Sequence, residues 1–190
     1  MQTEPDLQLA ANAPPPTATA SLSPDLPVAD PDLEQTRVLV VDDNKFARLL
    51  IRNLLHAVDI RDIVVTDSAV DALQILARET FDLALIDFEM PILDGAEFTR
   101  RVRSGDGILD RELPIIMISS YTEENRVVEA RDAGVHEYMA KPLPPTDLYS
   151  RIEATLNNPR PFVRTDSYVG PERRDFNKAA PKTNLERRAQ

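Results

Sequence analysis

Five polar residues, Asp42, Asp43, Asp87, Ser119 and Lys141, have the types and order needed for chemistry on a phosphoryl group. Each directly follows or closes a short apolar run. Three carboxylates gathered within a few ångströms would repel one another and raise their own pKa values. A hard dication relieves that repulsion, and magnesium takes oxygen ligands while keeping some of its waters. Lysine supplies a point charge for a phosphoryl oxygen, and the Ser119 hydroxyl can donate to another. Asp87 is then the nucleophile, a carboxylate able to form an acyl phosphate. Taken singly, each residue has a plainer reading. Acids after strands form turns and cap helices, a lone lysine is usually a solvated surface group, and a strand-end serine often bonds its own backbone. Only convergence in space separates the two accounts.

Convergence requires elements that bring the five together. Arg37–Val41, Ile63–Thr66, Leu83–Ile86, Pro114–Ile118 and Tyr138–Ala140 read as short strands, most of them apolar enough to be buried on both faces. Helical spacing separates them. Phe46, Leu49, Leu50, Leu54, Leu55 and Val58 mark the first helix face. Ala69, Leu73, Leu76 and Ala77 mark the second, with Asp67 or Ser68 as its N-cap. Asp94 caps a third helix that buries Phe98 and Val102, and a polar loop spans 104–112. The fourth helix runs from about Glu123 to Ala133 and stops at Gly134, and Thr146 caps the fifth, with Leu148, Ile152 and Leu156 inward. Five strand–helix units predict an α/β fold with a parallel sheet covered on both faces. Ligands in such sheets gather at the carboxyl ends of the strands, where the five residues lie.

Composition sets the limits. The chain has 190 residues and 42% hydrophobic content, enough for one domain core of about 100–150 residues plus tails. No cysteine and only two histidines exclude disulfides, thiolate metal sites and a histidine-built metal site. A net charge of −10 argues against general nucleic-acid binding. No apolar run reaches the roughly 18–20 residues of a membrane span. The first 35 residues hold no Lys or Arg, so there is no basic leader, and the expected location is the cytoplasm. Residues 1–35 form an acidic, proline-rich tail, 36–157 the domain, and 158–190 a basic tail rich in arginine and aromatics. Both tails read as disordered or weakly structured.

The segments VLVVDD (38–43), LALIDFEMPILDG (83–95), PIIMISS (114–120) and AGVHEYMAKPL (133–143) resemble the receiver domain of two-component response regulators, of the single-domain, chemotaxis-regulator type. The resemblance covers about 37–157 and implies a five-stranded flavodoxin-like sheet of order 2-1-3-4-5 with five flanking helices. It implies Mg2+ held directly by Asp43 and Asp87, by Asp42 through water, and by the Glu89 backbone carbonyl. Asp87 is then the phospho-acceptor, with Lys141 and Ser119 as its partners and a cis peptide before Pro142. Ser119 and Tyr138 would form the switch, remodelling the surface of the fourth helix, fifth strand and fifth helix. Glu89 and Tyr121 occupy positions that tune phosphoryl lifetime. Ala69 and Ser120 depart from the family's usual residues without disturbing the site.

By that resemblance the protein is a signalling switch or phosphorelay intermediate, phosphorylated by a sensor histidine kinase or a histidine phosphotransfer protein and acting on a protein target that the sequence does not name. It would catalyse only its own phosphorylation and dephosphorylation. Glu137 with Arg151, and Arg126 with Asp147, would pair between subunits in a weak, phosphorylation-enhanced homodimer. An alternative places the activity in the tail. There FVRTDSYVGPERRDF (162–176) sets aromatics among arginines and could bind a partner under control of the receiver.

Overall fold

The computed structural model describes residues 33–121 and 123–173. Five parallel strands, β1 (Arg37–Val41), β2 (Asp62–Thr66), β3 (Leu83–Asp87), β4 (Ile115–Ser119) and β5 (Glu137–Ala140), form one sheet of order β2-β1-β3-β4-β5. Helices α1 (Lys45–Ala57), α2 (Ala69–Leu76), α3 (Gly95–Ser104), α4 (Glu124–Ala133) and α5 (Pro145–Asn157) connect them or follow. Alternate residues of a strand face opposite sides, so the sheet feeds two cores. Leu39, Val41, Ala84, Ile86, Ile115 and Met117 pack on one side with Phe98 of α3 and Ala130 of α4. Val38, Val40, Leu85, Ile116 and Ile118 pack on the other with Ile51 of α1 and Ile152 of α5. This two-sided burial is why the strands read as continuous apolar runs.

The helix starts follow local chemistry. Asn44 accepts from the Phe46 and Ala47 N–H groups, Ser68 from Asp71, and Asp94 from Glu97. Thr146 is not the cap of α5. The helix begins at Pro145, whose missing N–H belongs to a turn that needs no donor there.

Two further expectations change. On α1, Phe46, Leu49 and Leu50 are not core residues; they are 81%, 54% and 52% exposed. Their apolar pattern is wider than one helix face can bury, and Ile51 and Leu55 take the inward side. The second change is at the C-terminal end. Phe162–Thr165 (β6) and Tyr168–Pro171 (β7) form an antiparallel hairpin, joined through Asp166 and Ser167. Its aromatics and the flanking Arg160 and Arg173 pack against the domain, while Arg164 is exposed. Arg160 donates to the Val135 and His136 carbonyls, Phe162 lies 5.3 Å from the Arg103 guanidinium, and Arg173 stacks 3.6 Å from the Tyr168 ring while pairing with Asp132. Gly170 and Gly134 make the seat, since a Cβ on Gly170 would come within 2.9 Å of the Gly134 Cα. The hairpin therefore sits at the amino ends of β4 and β5, opposite the strand ends that carry the acids. Phe176 and the other expectations for 1–32 and 174–190 lie outside the described residues. No helix among the described residues is long and apolar enough to cross a membrane.

Candidate functional site

The carboxyl ends of β1, β3 and β5 meet at Lys141. Its ammonium donates to Asp42 Oδ2 at 2.9 Å and to Asp87 Oδ1 at 2.7 Å. The acids are buried to 1% and 6% exposure. Backbone geometry sets their positions. The Asp42 N–H donates to the Thr66 carbonyl of β2, and Asp42 Oδ1 accepts from the Asn44 N–H at 2.8 Å. Arg48, one turn into α1, donates to the Asp42 and Asp43 carbonyls at 2.7 and 3.0 Å and pins the acidic loop. At β3, the Phe88 N–H donates to Ile118 and its carbonyl accepts from Gly95, which draws α3 tight beneath Asp87. A Cβ at position 95 would stand 2.4 Å from the Asp87 carbonyl, so only glycine fits. Lys141 is held by its N–H donating to the Ser119 carbonyl, and the Lys141–Pro142 peptide is cis.

Burial raises the Asp87 pKa, and the Asp42 charge adds to this; the hydrogen bond and charge of Lys141 and the Glu89 N–H oppose it without prevailing. For Lys141, burial alone would lower the pKa, but its bonds to Asp87 and Asp42 and their charges together raise it. Lysine thus stays charged while Asp87 is ionised at a cost. We expect Asp87→Asn to stabilise the metal-free protein at pH 7 by about 1 kcal/mol. A folded pKa above the unfolded one makes that cost fade as pH falls through the raised folded value toward the ordinary carboxylate value, so the gain should shrink on acidification. Urea melts at neutral and acidic pH check this; a mutant less stable at pH 7 contradicts it.

The remaining expected residues lie nearby without joining the cluster. Ser119 is fully buried, and its hydroxyl accepts from the Tyr121 N–H at 3.0 Å. The Tyr138 hydroxyl donates to the Tyr121 carbonyl at 2.5 Å, and its ring meets Phe88 edge-on at 6.5 Å. Burial raises the Tyr138 pKa, while a bond from Ser119 pulls it down. The Asp43 side chain is exposed, and Glu89 points to Arg126 of α4 at 3.9 Å. Among the described residues no three acidic or histidine side chains form a ready-made metal cluster. Two of the three expected carboxylates, Asp42 and Asp87, share the lysine, and the third, Asp43, is exposed. The donor set still suits a hard cation, because Asp42, Asp43, Asp87 and the Glu89 carbonyl are all oxygen ligands and the acids outweigh the lysine. Sequence reasoning missed Arg48 and read Arg126 as an inter-subunit partner of Asp147 rather than a neighbour of Glu89, since both roles depend on helix direction; the spacing of Arg48 from the acidic pair was the available signal. Glu137 and Arg151, expected to pair between subunits, bond each other within the chain and are both buried. Arg126 likewise pairs with Glu89 and Glu129 of its own chain.

The sequence matches the response regulator receiver domain family over residues 38–153, ending before the hairpin. Chemotaxis protein CheY of Pseudomonas aeruginosa is 31% identical over 117 residues, spanning 62% of this chain and 93% of that protein. Response regulator MprA of Mycobacterium leprae is 33% identical over 132 residues, 69% of this chain but 55% of its own length. Among solved structures, the receiver domain of sensor histidine kinase PA1611 from Pseudomonas aeruginosa, with a magnesium ion coordinated in its active site cleft, superposes with TM-score 0.56 at 27% identity, covering 64% of this chain and 96% of that one. Chemotaxis response regulator CheY4 of Vibrio cholerae gives TM-score 0.58 at 25% identity, covering 64% and 98%. With the sheet order and the acid–lysine cluster at the strand ends, these likenesses establish that the chain belongs to the response regulator receiver family of two-component signal transduction.

Proposed function

We propose that the protein is a phosphorylation-controlled switch that accepts a phosphoryl group on Asp87 from a phosphohistidine donor. The observation that carries this reading is the sharing of Lys141 between buried Asp42 and Asp87. In the transfer, an Asp87 carboxylate oxygen bonds to phosphorus, the P–N bond breaks, and its electron pair returns to the donor imidazole. Lys141 then offers its charge to a phosphoryl oxygen. The Ser119 hydroxyl, which accepts from the Tyr121 N–H, would turn its hydrogen from Tyr138 to a second phosphoryl oxygen. Magnesium held by Asp43, Asp87 and the Glu89 carbonyl, with Asp42 through water, would neutralise the charge that gathers there. Drawing Ser119 toward Asp87 removes its support for Tyr138, which is how the α4–β5–α5 surface would change for a protein target. The effect is a population shift between two states.

A donor protein must dock on the rim of this site. Phe46, Leu49 and Leu50 are exposed on α1 just after Asp43, and clustered exposed apolar side chains beside a charged cleft suit a protein partner. Phe46→Ala with Leu50→Ala should slow phosphoryl transfer from a phosphohistidine protein at least about tenfold, or 1.4 kcal/mol. Uptake from acetyl phosphate, which needs no docking surface, should be unchanged. Equal transfer from the protein donor to parent and variant would remove α1 as the docking site; no transfer to the parent would remove the proposed function.

A further inference from the structure

Arg126, in the first turn of α4, reaches toward the site. Its guanidinium lies 4.9 Å above the ring of Phe88, the residue after Asp87. One nitrogen is 3.9 Å from the Glu89 carboxylate, and another bonds Glu129 on the next turn at 3.2 Å. Arg126 and Glu89 also form two walls of an open cavity of about 290 Å3 beside the β3–α3 loop, with Phe88, Met90, Pro91 and Asp94. The Glu89 backbone is tied to the Asp87 carboxylate through its N–H, while its side chain is drawn the other way, toward α4. The ion pair is half-exposed, so it adds little stability. Its consequence is positional.

We propose that Arg126 is a positioning residue that sets the lifetime of the phosphoryl group on Asp87, by holding the Glu89 carboxylate against α4 and out of the path of attacking water. This rests on Asp87 being the phospho-acceptor. Hydrolysis joins a water oxygen to phosphorus and breaks the bond from phosphorus to Asp87. The bonding pair returns to the Asp87 carboxylate, and inorganic phosphate leaves. A carboxylate free to swing toward that water orients it and accepts its proton. With Arg126 in place, Glu89 is engaged elsewhere. Loss of the arginine therefore accelerates hydrolysis, and only while Glu89 keeps its charge.

The full chain is phosphorylated with acetyl phosphate and magnesium, freed of donor, and followed by intact mass. Arg126→Ala should lose its phosphoryl group about tenfold faster than the parent. Arg126→Lys, which preserves a charge for Glu89, should return most of the way to the parent rate. Glu89→Gln with Arg126→Ala should decay as Glu89→Gln alone. Decay of Arg126→Ala at or below the parent rate overturns the proposal, as does an acceleration that persists in the Glu89→Gln background or that Arg126→Lys shares in full. A parent that takes up no phosphoryl group removes the Asp87 reading, and this proposal with it. Thermal melts distinguish a folding defect, which Glu89→Gln could not suppress.

Discussion

A chain ending at Asn157 should be less stable than the full chain by about 3 kcal/mol. Residues beyond that point hold the amino ends of β4 and β5 together with α3. Arg103 of α3 is nearly inaccessible and has no ion-pair contact among the described residues; it donates to the carbonyls of Gly134, Arg111 and Leu113 at 3.0, 2.8 and 2.9 Å. Burial brings its pKa down to about 10, so it remains charged at neutral pH and depends on those carbonyls. His136 stands beside it, with Nδ1 accepting from the Ile115 N–H at 3.1 Å. Burial, then the charges of Arg103 and Arg160, hold the His136 pKa well below its usual value. Removing the hairpin strips the Phe162 ring from Arg103, the Arg160 bonds from the Val135 and His136 carbonyls, and the Arg164–Glu112 pair at 2.7 Å. Urea unfolding of the two chains measures the difference. Superimposable curves would show the hairpin to be an appendage.

The parallel sheet was legible because its strands are apolar on both faces, and because Asp42–Asp43, Asp87, Ser119 and Lys141 recur at strand ends in a specific order. What stayed hidden depends on direction and distance. Phe46 and Leu50 share a helical period with core residues, and periodicity reports a shared face without saying which way that face turns. The hairpin was obscured by strands of only four residues and by an Asp166–Ser167 turn that lacks the Asn-Gly or Asp-Gly signature. Val163, Thr165, Tyr168 and Val169 around that turn were the available signal. Glu137 and Arg151 were visible as a complementary pair, but only the packing of α5 on β5 places the pair within one chain.

Loss of Asp87 should have the largest effect, eliminating phosphoryl uptake. Asp42 is equally buried and also bonds Lys141, but its second oxygen is occupied by the Asn44 N–H. Asp43 is exposed and, among the described residues, bonds no lysine that would steady an acyl phosphate. Asp87 instead closes β3, the central strand of the sheet, next to the β4 end that carries Ser119 and in contact with Lys141. A carboxamide there has no nucleophilic oxygen anion, and no neighbouring acid is placed to substitute for it. The deciding measurement is intact mass with peptide mapping after incubation with acetyl phosphate, with and without magnesium, for the parent and Asp87→Asn. One added phosphoryl group is expected on Asp87, formed only with magnesium and absent from the mutant; equal labelling of Asp87→Asn would contradict Asp87 as the acceptor.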